Sequence, residues 1–253
     1  MADGAGGDGS AVRHRVLSAG ESEAELLRRF TAHELFRDVE RIALGDLLEV
    51  LLQRRFLSLL FPVVYDIGID GLTDPAALAL VREILREEYP DATGNTPSHR
   101  EDLVGDLLAL GATREQILAA RPTAVTARVV EETLALMLDA AAADGDVPVL
   151  TILRFWGEVL VSVEYGEFWR RIGGRFGAIG VPSRFYHPHH HHDGREPLST
   201  ASEASDTHSG RLGWCLARLL GEADGAIEQF ARAEQQVLAT RLRFYDQFVP
   251  ASA

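Results

Sequence analysis

Apolar residues recur along this chain at the three-and-four spacing of helices almost from end to end. Ser22–Ala43 carries Leu26, Leu27, Phe30, Leu35, Phe36 and Val39 on one stripe. Leu44–Ile67 is apolar on most sides, the pattern of a central buried helix. Asp74-Pro75 opens a helix with proline at its first position, and Pro90 stops it after Glu87-Glu88-Tyr89. Asp91–Thr96 reads as a loop. Thr96-Pro97 begins the next helix, whose face is Leu103, Leu107, Leu108 and Leu110, and Gly111 closes it. Thr113–Ala120 is a short helix and Thr123–Ala142 a longer one. Val149–Phe176 is long and aromatic, with Phe155, Trp156, Tyr165, Phe168 and Trp169. Residues 177–199 form a connection rich in Gly, Pro and His. Thr200 and Glu203 make a capping box for a helix reaching about Leu220, and Ala223–Phe248 is the last helix. Alternating strands and internal repeats are absent from the pattern. The chain therefore predicts one all-α domain over residues 21–250, a bundle of about seven to nine helices, behind a disordered Gly/Ala/Ser/Asp-rich tail at residues 1–20.

Composition narrows the chemistry. The net charge of −13 argues against a nucleic-acid surface, which needs a basic stripe. Every basic residue apart from histidine is Arg, so a lysine Schiff base and a Gly-Lys-Ser/Thr phosphate loop are excluded. The single Cys215 rules out an internal disulfide and an all-thiolate metal site, and its apolar helix suits an inert thiol. Leu47–Ile69 is the most apolar stretch, but Glu49, Gln53, Arg54, Arg55 and Asp66 interrupt it, so no membrane span is expected. With no targeting segment in the pattern, the cytoplasm is the expected location.

What remains is a scatter of carboxylates and histidines at helical positions. Glu88 ends a helix with an apolar face, and its neighbour Glu87 points about 100° away. Two carboxylates at a helix C-terminus oppose the dipole, so something positive should lie nearby. His99 shares the inward stripe of Leu103. Glu164 sits among Val161, Val163, Tyr165 and Phe168, where a carboxylate has to be paired, protonated or metal-bound. Glu158, on another side of the same helix, is an alternative. In the run His187-Pro188-His189-His190-His191-His192-Asp193, His189 and Asp193 share a face if the stretch is helical. Glu196, His192 and the later His208 compete for the same role. Imidazole and carboxylate together suit a redox-active metal.

These segments resemble the haem-oxygenase-like di-metal oxidases and oxygenases. Leu85–Pro90 followed by Ser98–Leu103 resembles that family's Glu-then-His pair, Val163-Glu164-Tyr165 its second Glu, and Arg184–Asp193 the start of its His-x3-Asp-x2-His motif. Glu196 stands where the last His of that motif is expected. Either it replaces the His, the register lies elsewhere in the run, or His208 supplies the imidazole. The resemblance implies a metal site of Glu88, His99, Glu164, His189, Asp193 and His208, two Fe(II) ions per chain and O2 as cosubstrate. It implies an oxidoreductase that desaturates, cyclises or hydroxylates at C–H bonds of a small aliphatic amino acid or related carboxylate, from the amino-acid or fatty-acid class, in natural-product biosynthesis, with N-oxygenation or carbon–carbon cleavage as the alternative within that family. It leaves room for an external electron donor and a homodimer. In that setting Trp156, Tyr165 and Phe168 would line an apolar pocket, Arg54 or Arg55 would clamp a substrate carboxylate, and Tyr65 or Asp66 would receive an amino group. Three rivals stand beside it. One is a non-metal enzyme of the related thiaminase-like or quinone-cofactor-synthase-like helical folds; the thiaminase-like form needs a catalytic cysteine in a pocket, which Cys215 suits poorly. A ferritin-like di-iron protein needs Glu-x-x-His, which the chain lacks. A helical scaffold needs no chemistry.

Overall fold

The computed structural model of the chain describes residues 6–191, 195–222 and 225–249. Among the described residues every regular element is helical, and together they form one all-α bundle. The long helices are α1 (Gly6–Thr31), α3 (Leu44–Gly71), α4 (Pro75–Glu87), α5 (His99–Leu110), α7 (Ala124–Ala141), a continuous rod of α8 (Val147–Ile152) and α9 (Leu160–Ile179), α11 (His208–Glu222) and α12 (Ala226–Asp246). Short helices α2 (Glu34–Arg37), α6 (Arg114–Ala119) and α10 (Tyr186–His191) link them. The rod is joined by a π-helical segment, Leu153–Val159, all seven residues of which are buried.

α3 is the central helix, as its all-round apolar pattern predicts. It packs on α4, α5, α7 and α8 and buries Leu47, Val50, Leu51, Leu57, Leu60 and Val64. Burying a side chain of this size contributes about 1.5–3 kcal/mol. Pro62 lies inside α3 and cannot donate to the carbonyl of Ser58 one turn earlier. α12 packs against α1, α7 and α8 on the other side of the bundle.

Several boundaries differ from the sequence pattern; α3 runs on to Gly71, and α5 starts at His99 behind the Ser98 cap and not at Thr96-Pro97. The described helix begins at Gly6, inside the segment expected to be a tail. Ala19 is buried there, and the Val12 methyls pack so closely on Gly221 of α11 that a Cβ at 221 would stand 2.7 Å from one of them. The expected helix Ser22–Ala43 breaks after Thr31, because the His33 ring accepts the Leu35 amide at 3.3 Å and starts α2. The aromatic helix runs further, from Val147 to Ile179, with the π segment in its middle. α11 starts at His208 and not at Thr200. The Glu196 carboxylate accepts the Ser205 hydroxyl and, at 3.4 Å, that of Thr207, which fixes residues 196–207 as a looped connection.

Among the described residues no helix is long and apolar enough to cross a membrane.

Candidate metal and acid–base pocket

One cavity of about 850 Å³ opens between α3, the end of α4, α5, the π segment, α9, α10 and the start of α11. Its aromatic wall is Phe61, Trp156, Tyr165 and Phe185, and its polar lining includes Glu87, Glu88, His99, His189, Glu158 and His208.

The first cluster is set by helix ends. α4 finishes at the loop before Pro90, which leaves Glu88 as its C-cap. Ser98 and Glu101 then form a capping box that starts α5 at His99. The two ends meet, with His99 Nδ1 2.8 Å from Glu88 Oε1. His189 completes the group from α10. Its ring stands 4.7 Å from that of His99, and one donor atom from each of Glu88, His99 and His189 falls within 4.8 Å of the others. His189 Nδ1 lies 2.7 Å from the Phe185 carbonyl. A carbonyl only accepts, so Nδ1 carries the proton and Nε2 keeps its lone pair. Burial, with His99 beside it, pushes the His189 pKa down to about 3, which holds the ring neutral.

The position of His189 depends on Asp106, a buried carboxylate on α5. It accepts the Ser183 hydroxyl at 2.5 Å and the backbone amides of Arg184, Phe185 and Tyr186 at 3.0, 3.1 and 3.1 Å. Asp106 thereby caps α10 from outside, and α5 both presents His99 and docks the helix that carries His189.

The second cluster runs along another wall. Tyr65 donates a short hydrogen bond to Glu158, which is buried in the π segment. Glu158 Oε2 is 3.6 Å from His208 Nδ1, and His208 Nε2 is 3.3 Å from Glu87 Oε2. The two acidic residues ending α4 therefore divide their work: Glu88 meets His99 and Glu87 meets His208. Imidazoles supply the partners that the helix dipole calls for. Tyr65 stacks on Phe61 at 4.1 Å. A Cβ at Gly157 would stand 2.9 Å from the Tyr65 hydroxyl and 3.2 Å from Phe61. Gly157→Ala is expected to displace Tyr65 from Glu158 and to cost about 1–3 kcal/mol in thermal unfolding. Unchanged stability would mean that Tyr65 is not clamped there.

Several expected site residues lie elsewhere. Glu164 is fully buried but does not join Glu88 and His99. It accepts from Arg54, from Arg241 Nη1 at 2.7 and 2.8 Å, and from the Tyr245 hydroxyl at 2.7 Å. It is the paired alternative, and no lone pair is left over for an ion. Burial acts to raise its pKa, but Arg241 and Arg54 outweigh it and hold the carboxyl below its ordinary value. Arg54 does line the cavity, yet its charge is committed to Glu164, and it also donates to Ser58 at 2.9 Å. Arg55 is turned from the cavity lining and sits over the Phe56 ring. Asp66 is exposed, Phe168 packs in the core against Phe36 and Tyr245, and Glu196 is spent on the loop before α11. Tyr65 touches Glu158 and not the cavity surface. His192 and Asp193 lie outside the described residues. Sequence reasoning missed Phe61, Phe185, Ser58 and Asp106. Asp106 had a signal, since it falls at helical spacing on the stripe of Leu103, Leu107 and Leu110.

No family model and no curated protein matches the chain. Solved structures do match its fold. The TenA homologue protein from P. horikoshii OT3 aligns over 92% of this chain and 97% of its own, at 15% identity and a TM-score of 0.56. A TenA family transcription regulator from Silicibacter sp. TM1040 aligns over 99% and 100%, at 14% identity and a TM-score of 0.53. These likenesses replace the expected place among the haem-oxygenase-like di-iron oxidases, and with it the expected O2-dependent oxidation of C–H bonds by an iron oxidoreductase. At such identities the likeness is one of fold, and this chain is similar to TenA proteins as an all-α bundle.

Proposed function

We propose that the pocket is a metal-assisted hydrolytic site for a small organic molecule. One divalent transition-metal ion would be held by Glu88, His99 and His189, while Glu158 and His208 move protons. One observation carries this reading: a two-imidazole, one-carboxylate donor group and an imidazole–carboxylate pair face one aromatic-walled cavity. That donor set suits zinc, ferrous iron or manganese. A bound ion supplies a Lewis acid for an oxygen of the substrate. The chain's own residues do the rest. Trp156, Phe61, Tyr165 and Phe185 seat the apolar part of the molecule and exclude water around it. Glu158, fixed by Tyr65, takes a proton from the attacking water as its oxygen bonds to the electrophilic carbon. The imidazolium of His208 gives a proton to the leaving group as the scissile bond breaks, and the proton on Glu158 passes back to His208.

A covalent thiol mechanism has no support in this pocket. The sole cysteine, Cys215, is buried in α11 and outside the cavity lining, and burial raises its pKa. The name transcription regulator, carried by one structural neighbour, finds no support in a chain with a net charge of −13. With the hydrolytic reading we propose a cytoplasmic location and a small-molecule partner.

The test is an anaerobic titration with Fe(II), Zn(II) and Mn(II), followed by assay of the loaded protein on p-nitrophenyl esters. About one ion per chain is expected, lost in His99→Ala. Glu158→Gln should keep the ion and lower kcat by about 100-fold or more. Failure of all three ions to bind sinks the metal site. Binding without hydrolysis across the esters sinks the catalytic reading.

A further inference from the structure

Behind the π segment lies a second group of buried charges that the pocket does not use. Arg154, Glu23 and Glu234 are each within 1% of full burial. They come from the π segment, α1 and α12. Four contacts engage the Arg154 guanidinium. Nη1 makes a short ion pair with Glu23 Oε2, and Nη2 donates to Glu23 Oε1 at 3.4 Å. Nε donates to the Ser209 carbonyl at 2.9 Å and Nη2 to the Glu196 carbonyl at 2.9 Å. Glu234 receives none of these donors, and no N–H or O–H group among the described residues donates to either of its oxygens; the side chain within hydrogen-bonding reach of it is the Glu23 carboxylate.

The charge count does not close as written. One guanidinium faces two carboxylates in a region without water access, and an uncompensated buried charge is strongly unfavourable. We propose that Glu23 and Glu234 hold one proton between them, so that the trio is neutral inside the bundle. The proton gives Glu234 a donor, which its oxygens otherwise lack. It also leaves the Arg154 guanidinium free to brace the backbone at Glu196 and Ser209. Ser209 follows His208, and Arg154 is four residues before Glu158. The trio is therefore a positioning device for the wall that carries the acid–base pair.

The charged side chains acting on Glu234 are Glu23 from α1 and Arg154 from the π segment. Among the described residues, α7, α8 and α11, which also pack on α12, add no charged group to these. Burial first, and then the Glu23 carboxylate, raise the Glu234 pKa well above its ordinary value, against the pull of Arg154. The sign of the pH dependence follows. Above the ordinary value of 4.5 the unfolded chain has released this proton while the folded chain keeps it. Folding then binds more protons than unfolding, and stability declines as pH rises until the folded pKa is passed.

The experiment compares the native protein with Glu234→Gln and Glu23→Gln. Tm is followed between about pH 5 and pH 8, and the protonated carboxylic-acid band is read by infrared difference spectroscopy at neutral pH. The native protein should show the band. Glu234→Gln should lose it and show a smaller fall of Tm with pH. Glu23→Gln should lose it too, because the one remaining carboxylate ionises against Arg154. If Glu23→Gln fails to fold, Glu234→Gln decides alone. A native protein without the band, or a Glu234→Gln variant with an unchanged pH slope, overturns the proposal. A purely structural role would change Tm at every pH and leave the slope as it was. The outcome is independent of whether the pocket binds a metal.

Discussion

Glu164→Gln is expected to destabilise the protein by about 3–5 kcal/mol while leaving its metal stoichiometry unchanged. Glu164 accepts from two guanidiniums and a phenol at full burial. Glutamine keeps the shape, but it leaves Arg54 and Arg241 as buried cations without a counter-charge and puts amide hydrogens where an acceptor is needed. In a chain of this length that loss corresponds to a fall in Tm of about 6–20 °C. The depressed pKa gives the pH signature. Stability from Glu164 is present above the ordinary carboxyl range and is lost as pH falls through the folded pKa, so the native protein should weaken in acid more than the variant does. Calorimetry across pH and ion counting below Tm make the check. Loss of the ion with stability intact would return Glu164 to the metal site.

The second large effect is expected at a residue that touches no ligand. Asp106→Ala should weaken ion binding about 10–100-fold, because Asp106 holds the start of α10 and so the ring of His189. Stability should fall as well, by about 1–2 kcal/mol for the lost cap. Asp106→Asn keeps one acceptor oxygen and should recover part of both. Isothermal titration with Zn(II) on the three proteins reads the effect. Equal affinity in all of them would mean that α10 finds its place without the cap.

The helices were legible because burial writes a 3.6-residue period into the sequence. The all-round apolar stretch of Leu44–Ile67 became the central α3, and the stripe of Leu103, Leu107 and Leu110 became the helix bearing His99, although that helix starts at the Ser98–Glu101 capping box and not at Thr96-Pro97. The Glu88–His99 encounter was legible for a related reason, since a short loop leaves two helix ends no choice but to meet. Glu164 shows where that reading stops. An apolar neighbourhood says that a carboxylate needs a partner, but the partners Arg54 and Arg241 lie 110 and 77 residues away. Local pattern carries no information about pairings at that range, and Arg241 sits on a helix whose arginines look alike in sequence. The break at Thr31 and the late start of α11 were hidden because side chains, His33 and Glu196, compete with the helix for the same amides and hydroxyls.

The π segment has a consequence for how this chain can change length. A π turn holds one residue more than an α turn, so deleting any one residue within Leu153–Val159 would let the rod close into ordinary α winding. Residues on either side of the deletion would keep nearly the same angular relation, because the π turn carries its extra residue by widening and not by advancing the winding. Glu164 would stay with Arg54 and Arg241, and Tyr165 would stay at the cavity. A one-residue change in the α-helical parts of the rod would instead rotate everything after it by about 100°. The π segment is therefore the place where this helix can lose a residue without turning one end of the bundle against the other.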